Sequence, residues 1–260
     1  MGIISVIGSG MLGVEQITTE GFSVIHRADR VYWIGDIAGL KEYCAHRTIS
    51  YQDLSYLYEH GAIDTDNYRR IIQHVMLALT ECDHIGLVVP GHPRLGVTIV
   101  QLLQQQNKSG DFEFHCYPGI SSFAAMINDI GIDPLEEGVS IVDVNRLILY
   151  DYMMDPCLNY FIYHASSIGN ANTDYSTPQI SNKIPYLKSK LLKHYPAHTH
   201  LFLLSSSTIK GEFAEKLPGQ LANLEALLSQ VTYRHTLYIP CSLPSKSQVN
   251  HNFLQEIHLV

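Results

Sequence analysis

The glycine pattern after the first apolar run constrains the fold more than any other feature of this chain. Residues 3–7 form an apolar run typical of a buried strand, and residues 8–13, Gly-Ser-Gly-Met-Leu-Gly, follow it with the spacing G-x-G-x-x-G. This spacing at a strand-to-helix turn is typical of nucleotide-binding α/β folds. Asp29 and Asp36 lie downstream, where an acid could hold a ribose. The pattern predicts an α/β fold and leaves a dinucleotide site open as one alternative.

Composition excludes several classes of function. The 260 residues carry a net charge of −8, which argues against nucleic-acid binding because phosphate contacts need a basic surface. No apolar run reaches the roughly 18 residues of a membrane span, and the N-terminal segment lacks the pattern of a signal peptide. The five cysteines form no C-x-x-C, and the fourteen histidines show no metal-ligand spacing. We therefore expect a cytoplasmic protein that binds no nucleic acid, membrane or metal.

The first half of the chain alternates predicted strands with predicted helices, as in a parallel α/β domain. Strands are predicted at residues 3–7, 30–34, 85–89 and 112–117. Helices are predicted at residues 22–28, 37–45, 66–80, 96–105 and 123–130. Ser121 and Ser122 precede the last of these helices and are expected to cap it.

The second half of the chain changes character. Strand-like segments are predicted at residues 159–164, 200–204 and 235–239, and helices at residues 185–194 and 221–231. A boundary is predicted near residues 138–150. This gives an N-terminal α/β domain over residues 1–140 and a C-terminal α/β domain over residues 141–260.

Three predicted strands end in glycine-containing loops, at residues 8–10, 91–93 and 119–122. In open α/β sheets, ligands bind beyond the carboxyl ends of the strands, and glycine lets the backbone approach a ligand closely. Serine at a helix start offers a hydroxyl and a backbone N–H to a carboxylate. The alternative is that these Pro-Gly pairs simply end strands.

Taken together, these loops resemble the tetrapyrrole methylase superfamily, whose members depend on S-adenosylmethionine (SAM). The resemblance rests on the segments Val6-Ile7-Gly8-Ser9-Gly10, Thr18-Thr19-Glu20, Gly91-His92-Pro93 and Pro118-Gly119-Ile120-Ser121-Ser122. It narrows to the borosin peptide backbone α-N-methyltransferases because of Tyr58, Tyr68 and the segment Asp129-Ile-Gly-Ile-Asp-Pro134. The resemblance implies a two-domain α/β fold, a SAM cleft between the domains and a homodimer. In this superfamily the first loop shapes the cleft and does not cradle a pyrophosphate.

The resemblance implies SAM as the cofactor, held by residues from both domains. By position in the motifs, the implied contacts are His92, Pro93, Val97, Ser121, Ser122, His164, Ala165, Ser205 and Thr236. For Thr236, a β-branched residue within a predicted strand, a purely structural role is the alternative.

The resemblance implies Tyr58 and Tyr68 as catalytic residues, and Asp64, a departure from the family pattern, is a third candidate. In borosin enzymes, tyrosines and an arginine assist attack by a backbone amide, which is a poor nucleophile. A tyrosine with an ordinary pKa of about 10 needs a cationic neighbour to act as a base near neutral pH. Asp64 stands where the family has its arginine, and Pro90 stands where the family has a further tyrosine.

Two interpretations follow from this departure. Arg69 or Arg70, beside Tyr68, replaces the missing cation, although Arg69 points about 100° away from Tyr68 on a helix. Alternatively, the acceptor is an amine, a hydroxyl or another heteroatom that needs less activation, and Asp64 or Asp66 holds an ammonium and accepts its proton. The plain alternative for these aspartates is an N-cap of the following helix.

We expect a SAM-dependent methyltransferase that methylates a peptide, at a backbone amide nitrogen, or a peptide-like molecule. Residues 241–260 contain no apolar, repeated segment suited to multiple methylation, so the substrate is expected in trans. One alternative is a catalytically altered SAM-binding partner or scaffold protein, and another is a methylase of a different small-molecule nucleophile. A dinucleotide-dependent dehydrogenase would have no need of the Gly-His-Pro and Pro-Gly-Ile-Ser loops.

Overall fold

The structure, a computed structural model, describes residues 1–172, 174, 176–242 and 249–256. Its first sheet contains, in chain order, β1 (Gly2–Gly8), β2 (Arg30–Trp33), β3 (Tyr51–Asp53), β4 (His84–Val89) and β5 (Phe112–Tyr117). Their order across the sheet is β3-β2-β4-β1-β5, and every pairing is parallel. The carboxyl ends of all five strands therefore share one edge of this sheet, where the three glycine loops begin.

Helices cover both faces of the first sheet. They are α1 (Thr19–Arg27), α2 (Leu40–His46), α3 (Asp64–Ala78) and α4 (Thr98–Gln106). A further helix, α5 (Ser122–Ile130), follows β5. One apolar cluster joins α3 and α4 to the sheet, and a second joins α1 and α2 to the opposite face. A sheet buried on both faces needs continuous apolar strands, which explains the unbroken apolar run of β4.

The second sheet contains β6 (Val139–Asp143), β7 (Asn159–Tyr163), β8 (His200–Ser205), β9 (Glu215–Gln220) and β10 (Thr236–Ile239). Their order is β6-β7-β10-β8-β9. β6 pairs in parallel with β7, whereas β10 is antiparallel to both of its neighbours and β8 is antiparallel to β9. β7 and β8 therefore run in the same direction, and their carboxyl ends lie at the same end of the sheet.

Two apolar layers cover the second sheet. The remaining helices are α6 (Pro134–Glu137), α7 (Val144–Leu149), α8 (Ile184–Leu192), α9 (Leu224–Leu228) and α10 (His251–Glu256). Helices α7, α8 and α9 bury one face in the larger cluster. On the other face lies α5, whose Phe123 packs edge-on against Phe161 of β7 with ring centroids 5.2 Å apart. Because α5 follows β5, this packing connects the two sheets.

Most predicted elements are confirmed within a few residues, but three strands have no counterpart among the predictions. These are β3, β6 and β9. β9 contains Pro218 and Gly219, which usually interrupt strands, and it tolerates them because it is an edge strand. The helix predicted over residues 221–231 is wrong in length, since a 3-10 turn at Leu221–Asn223 precedes the short α9. The domain division at residue 140 stays a prediction, and β6 spans that position.

Three findings concern only the described part of the chain. No helix there is long and apolar enough to cross a membrane. No three His, Cys, Asp or Glu side chains within it are grouped in a way that suits a metal ion. Its five cysteines are free thiols, with Cys44 buried.

Candidate active site

Gly8, Gly91 and Gly119 bring the three loops into backbone contact at the carboxyl edge of the first sheet. A Cβ atom on Gly8 would lie 2.5 Å from the carbonyl oxygen of Gly91 and 2.7 Å from the amide nitrogen of Gly119. A Cβ atom on Gly119 would lie only 2.4 Å from the same carbonyl oxygen. Only glycine permits this approach. The structure thus brings the three predicted loops together at one point.

The N–H groups of the first glycine loop are engaged within the chain. The N–H of Gly10 donates to a carbonyl in the loop after β4 at 3.1 Å, and that of Met11 donates to Oε1 of Gln16 at 2.6 Å. The loop continues into a 3-10 turn at Gly13–Glu15, whereas a pyrophosphate cradle needs available N–H groups at the start of an α-helix. Asp29 accepts a backbone N–H from β4 at 2.8 Å. This geometry disfavours the dinucleotide alternative.

The two serines before and at the start of α5 have different roles. Ser121 is the N-cap, as predicted, and its Oγ accepts the N–H of Ala124 at 3.1 Å. Ser122 does not cap the helix. Its Oγ lies 3.0 Å from the hydroxyl of Tyr163, the last residue of β7. Burial raises the pKa of Tyr163 to about 12, so this hydroxyl stays protonated and available as a donor.

His164 follows β7 and faces the loop after β4. Its Nδ1 lies 2.7 Å from Oδ2 of Asp143, at the end of β6. Its Nε2 lies 3.6 Å from the position that a Cβ atom on Gly96 would occupy. His164 has a φ of 59°, a left-handed conformation that is uncommon outside glycine, and such outliers often mark functional sites. The segment between β4 and α4 therefore approaches the carboxyl end of β7 at His164.

Asp143 is a candidate site residue that has no counterpart among the predictions. Burial pushes the pKa of its carboxyl up, but hydrogen bonds from His164 and from the N–H of Arg146 outweigh this effect, so the pKa is lowered. The carboxylate is charged at neutral pH and fixes the orientation of the imidazole. The sequence did contain a local signal for this residue, because Asp is a preferred N-cap residue and Asp143 is the N-cap of α7.

The predicted cofactor contacts of the first sheet lie in and after the loop that follows β4. His92 is half-buried, and its Nδ1 accepts the N–H of Arg94 at 3.1 Å. Pro93 is buried. Val97 is the N-cap residue of α4 and packs against the apolar cluster beneath the loop. All three residues lie between β4 and α4, in the segment that also contains Gly96.

The remaining predicted contacts lie at one end of the second sheet. Ala165 is fully buried directly after His164. Thr236 begins β10 opposite Leu204, so it lies at the same sheet end as Ser205, the last residue of β8. Thr236 is buried within the strand, which is consistent with a purely structural role for this residue. Ser205 lines an open cavity of about 560 Å³. Their role as cofactor contacts stays a prediction.

The structure brings Tyr58, Tyr68 and Asp64 together, all of them half-buried. The two tyrosine rings are perpendicular, with centroids 6.0 Å apart. Tyr68 also hydrogen-bonds with Thr98, the first residue of α4, which places it beside the predicted cofactor loop. Burial and the negative charge of Asp64 raise the pKa of Tyr68, against the effect of its hydrogen bonds. Tyr68 is therefore protonated near neutral pH.

Asp64 is the first residue of α3, and the predicted capping role is wrong. The N-cap residue is Ile63, which makes no side-chain capping hydrogen bond, and Asp64 lies in the first turn of the helix. A carboxylate there still favours the helix through the helix dipole. The N–H of Asp64 donates to the carbonyl of Ala171 at 2.9 Å. The chain beyond β7 thus contacts the start of the helix that carries Tyr68.

Both arginines beside Tyr68 bind other acids. Arg69 forms an ion pair with Asp66 at 2.7 Å, and Arg70 forms one with Glu59 at 3.2 Å. Neither guanidinium is among the groups that shift the pKa of Tyr68. This arrangement weighs against the interpretation that Arg69 or Arg70 supplies the missing cation.

Comparison with known protein families gives one match over most of the chain. The model of the Tetrapyrrole (Corrin/Porphyrin) Methylases matches residues 4–213. Among solved structures, the chain is similar to the uroporphyrin-III-C-methyltransferase from Thermus thermophilus, with a TM-score of 0.63, 15% identity and coverage of 95% of this chain and 99% of that one. It is also similar to the precorrin-6Y methylase from Archaeoglobus fulgidus, with a TM-score of 0.56, 17% identity and coverage of 93% and 99%. These structures share its fold.

Relatives with similar sequences include borosin cyclic peptide precursors and a gymnopeptides precursor. The chain is 22% identical over 250 residues to a methyltransferase/ribosomally synthesized type I borosin cyclic peptide precursor of Cerrena unicolor, covering 92% of this chain and 58% of that protein. It is 24% identical over 243 residues to the methyltransferase/ribosomally synthesized cyclic peptide gymnopeptides precursor of Gymnopus fusipes, covering 92% and 57%. The chain spans about half the length of the curated relatives that it matches.

Proposed function

This chain belongs to the family of tetrapyrrole (corrin/porphyrin) methylases, and on that basis we propose that it is a SAM-dependent methyltransferase acting on a peptide or peptide-like substrate supplied in trans. One observation carries the proposal. The loops after β4 and β5 meet the carboxyl end of β7, where His164 faces Gly96 and Ser122 hydrogen-bonds to Tyr163. The site so formed combines groups from both sheets.

The lining of this site suits SAM. The hydroxyls of Ser122 and Tyr163 offer hydrogen bonds to polar groups, and the half-buried Val97 supplies apolar side-chain surface at the start of α4. Ligand sites typically combine an apolar lining with a few placed polar groups. The proposed contacts are His92, Pro93, Val97, Ser121, Ser122, His164, Ala165, Ser205 and Thr236. When bound, SAM supplies a methyl group on a sulfonium that is already activated toward a nucleophile.

This chain's residues would act mainly by holding the acceptor in line with that methyl group. Positioning of two reactants contributes much of the rate when the electrophile is already activated. Tyr58 and Tyr68 lie beside the start of α4 and orient the acceptor through their hydroxyls. Asp64, on the same face of α3, adds a negative charge. The similarity to borosin precursors over most of this chain supports a peptide-like acceptor.

A second candidate function has its own support. A catalytically altered SAM-binding partner or scaffold would keep the loops and lose the chemistry. Asp64 and Pro90, which stand where the borosin pattern has an arginine and a tyrosine, support this alternative. The raised pKa of Tyr68 argues against a tyrosine base, because the hydroxyl is not ionised near neutral pH. A backbone amide acceptor, a homodimer and a cytoplasmic location stay predictions of the sequence.

The proposal is tested by separating cofactor binding from turnover. Calorimetric titration should show one S-adenosylhomocysteine (SAH) per chain, and peptides incubated with methyl-labelled SAM should gain label. Tyr68→Phe should bind SAH normally but lose about 100-fold in turnover, the usual contribution of a positioned proton donor. Tyr56→Phe is the control, since Tyr56 lies two residues before Tyr58 but is 63% exposed.

Each outcome separates the candidates. Absence of SAH and SAM binding would exclude the methyltransferase and the scaffold together. Normal SAH binding without transfer to any peptide would favour the scaffold. Full activity of both Tyr58→Phe and Tyr68→Phe would show that the catalytic assignment is wrong.

A further inference from the structure

The imidazole of His164 is held at one ring nitrogen and open at the other. Its Nδ1 lies 2.7 Å from Oδ2 of Asp143, whereas no described residue hydrogen-bonds to its Nε2. The side chain of His164 is 46% exposed. A carboxylate accepts a hydrogen bond from Nδ1–H, which leaves the lone pair of the neutral ring on Nε2. Nε2 can therefore accept a proton from a bound molecule.

Asp143 is arranged to support that role. The N–H of Arg146 donates to its Oδ1 at 2.9 Å, while its Oδ2 contacts His164, so each carboxylate oxygen has its own donor. Burial alone would raise the pKa of this carboxyl, but the two hydrogen bonds lower it overall. A fixed carboxylate beside an imidazole orients the ring and stabilises the imidazolium that forms when the ring takes up a proton.

The turn after β7 fixes the position of this imidazole. The N–H of Ser167 donates to the carbonyl of His164 at 2.9 Å. The side chain of Asn145 binds the same turn twice, because its Nδ2 donates to the carbonyl of Ser167 at 3.0 Å and its Oδ1 accepts the N–H of Gly169 at 2.7 Å. Asn145 lies in α7, two residues after Asp143. The start of α7 thus holds both the histidine turn and the acid that orients the ring.

The open edge of His164 lies beside the segment that leads into α4. Its Nε2 is 3.6 Å from the position that a Cβ atom on the exposed Gly96 would occupy, so any larger residue there would pack against this edge. Two residues further along, Thr98 hydrogen-bonds with Tyr68, one of the residues proposed to orient the acceptor. Burial and the charge of Asp64 raise the pKa of Tyr68, so its hydroxyl is protonated near neutral pH and does not act as a base. His164 and Tyr68 therefore lie beside the same short segment and have different protonation roles.

We propose that His164, oriented by Asp143, is the base that removes the proton of the methyl acceptor. This inference rests on the proposed methyltransferase function, and it gives His164 a role toward the acceptor in addition to the cofactor. The lone pair of the acceptor nitrogen or oxygen forms the new bond to the methyl carbon. The C–S bond of the sulfonium breaks and its electron pair stays on sulfur, which leaves SAH. The acceptor proton moves to Nε2 and then passes to water, so no further reactant is needed.

The test uses the full chain, methyl-labelled SAM at saturation and a random hexapeptide library. His164→Asn keeps a side-chain N–H for Asp143 and tolerates the left-handed φ, but it has no counterpart of Nε2. We expect kcat to fall about 100-fold, the usual contribution of a positioned base, while the Kd for SAH stays within about threefold of the wild-type value. His200→Asn is the control, because His200 is exposed at the amino end of β8, the opposite end of the second sheet.

The outcomes distinguish this inference from the proposed function. Unchanged kcat in His164→Asn would overturn the inference alone, and a weaker Kd for SAH with unchanged kcat would show that His164 is a cofactor contact only. Absence of SAH binding, or of any transfer by the wild-type chain, would overturn the proposed function together with the inference.

Two further variants test the base and its orientation separately. His164→Gly removes the ring and accepts the positive φ, so added imidazole should restore turnover about tenfold, which a purely structural role does not predict. Equal turnover with and without imidazole would contradict the inference. Asp143→Asn should lower kcat in the wild type but not in His164→Asn, because Asp143 acts through the histidine. Additive losses in the double variant would contradict that coupling. A circular-dichroism melt confirms that each variant is folded.

Discussion

The contact between the three loop glycines predicts what a single added methyl group does to the site. In Gly119→Ala, the new Cβ atom would lie 2.4 Å from the carbonyl oxygen of Gly91, while ordinary contacts begin at 3.4 Å. The two loops must therefore separate by about 1 Å, the difference between these distances. Forcing extra atoms into a close-packed site typically costs about 1–3 kcal/mol. Gly119 has no positive φ, so the effect arises from the contact alone.

Loop separation should appear in cofactor affinity, because the loops carry the proposed SAM contacts. Since about 1.4 kcal/mol corresponds to a tenfold change in Kd, we expect the Kd for SAH to rise about tenfold or more in Gly119→Ala. Gly86→Ala is the control, because its Cβ atom would lie 3.4 Å from that of Ala28 in ordinary contact. Its Kd should stay within about threefold of the wild-type value. A threefold change in Kd corresponds to less than half the binding free energy of a tenfold change. Calorimetric titration measures both values, and wild-type affinity in Gly119→Ala would refute the reasoning.

Two further predictions concern titrating groups. The pKa of Asp143 is lower in the folded chain than its unfolded value of about 3.9, so its stabilising effect is present above that pH and disappears as pH falls through the folded pKa. The unfolding free energy, measured by urea titration, should therefore fall less steeply with decreasing pH below pH 4 in Asp143→Asn than in the wild type. An unchanged dependence on pH would count against the Asp143–His164 contact. Burial raises the pKa of Cys44 to about 11, so this thiol should resist Ellman's reagent at pH 8 until urea unfolds the chain. Rapid labelling of Cys44 in the folded protein would contradict its burial.

The fold was most predictable where the signal is local and continuous. The apolar run of β4 and the capping serine before α5 both correspond closely to the structure. The edge strand β9 was hidden by Pro218, because a proline is tolerated where one side of a strand has no partner. Strand β6 was hidden for another reason, since its place in the sheet depends on pairing with β7, about twenty residues later.

The residues of the candidate site likewise fall into those that local sequence patterns predict and those that depend on distant pairing. The glycine loops could be found from the sequence because each follows a strong strand signal. The partnership of Asp143 with His164 could not, because these residues are 21 positions apart and only the pairing of β6 with β7 brings them together. The sequence pointed to Asp64 as unusual, but its charge environment depends on which acids bind Arg69 and Arg70, and only the folded helix determines that.

The most direct test of the account is native mass spectrometry of the purified protein with SAM, with SAH and with NAD added separately. We expect one SAM or SAH per chain and no retained NAD, because the N–H groups of the first glycine loop are engaged within the protein. Binding of NAD without SAM or SAH would contradict it and return the loop to a dinucleotide site.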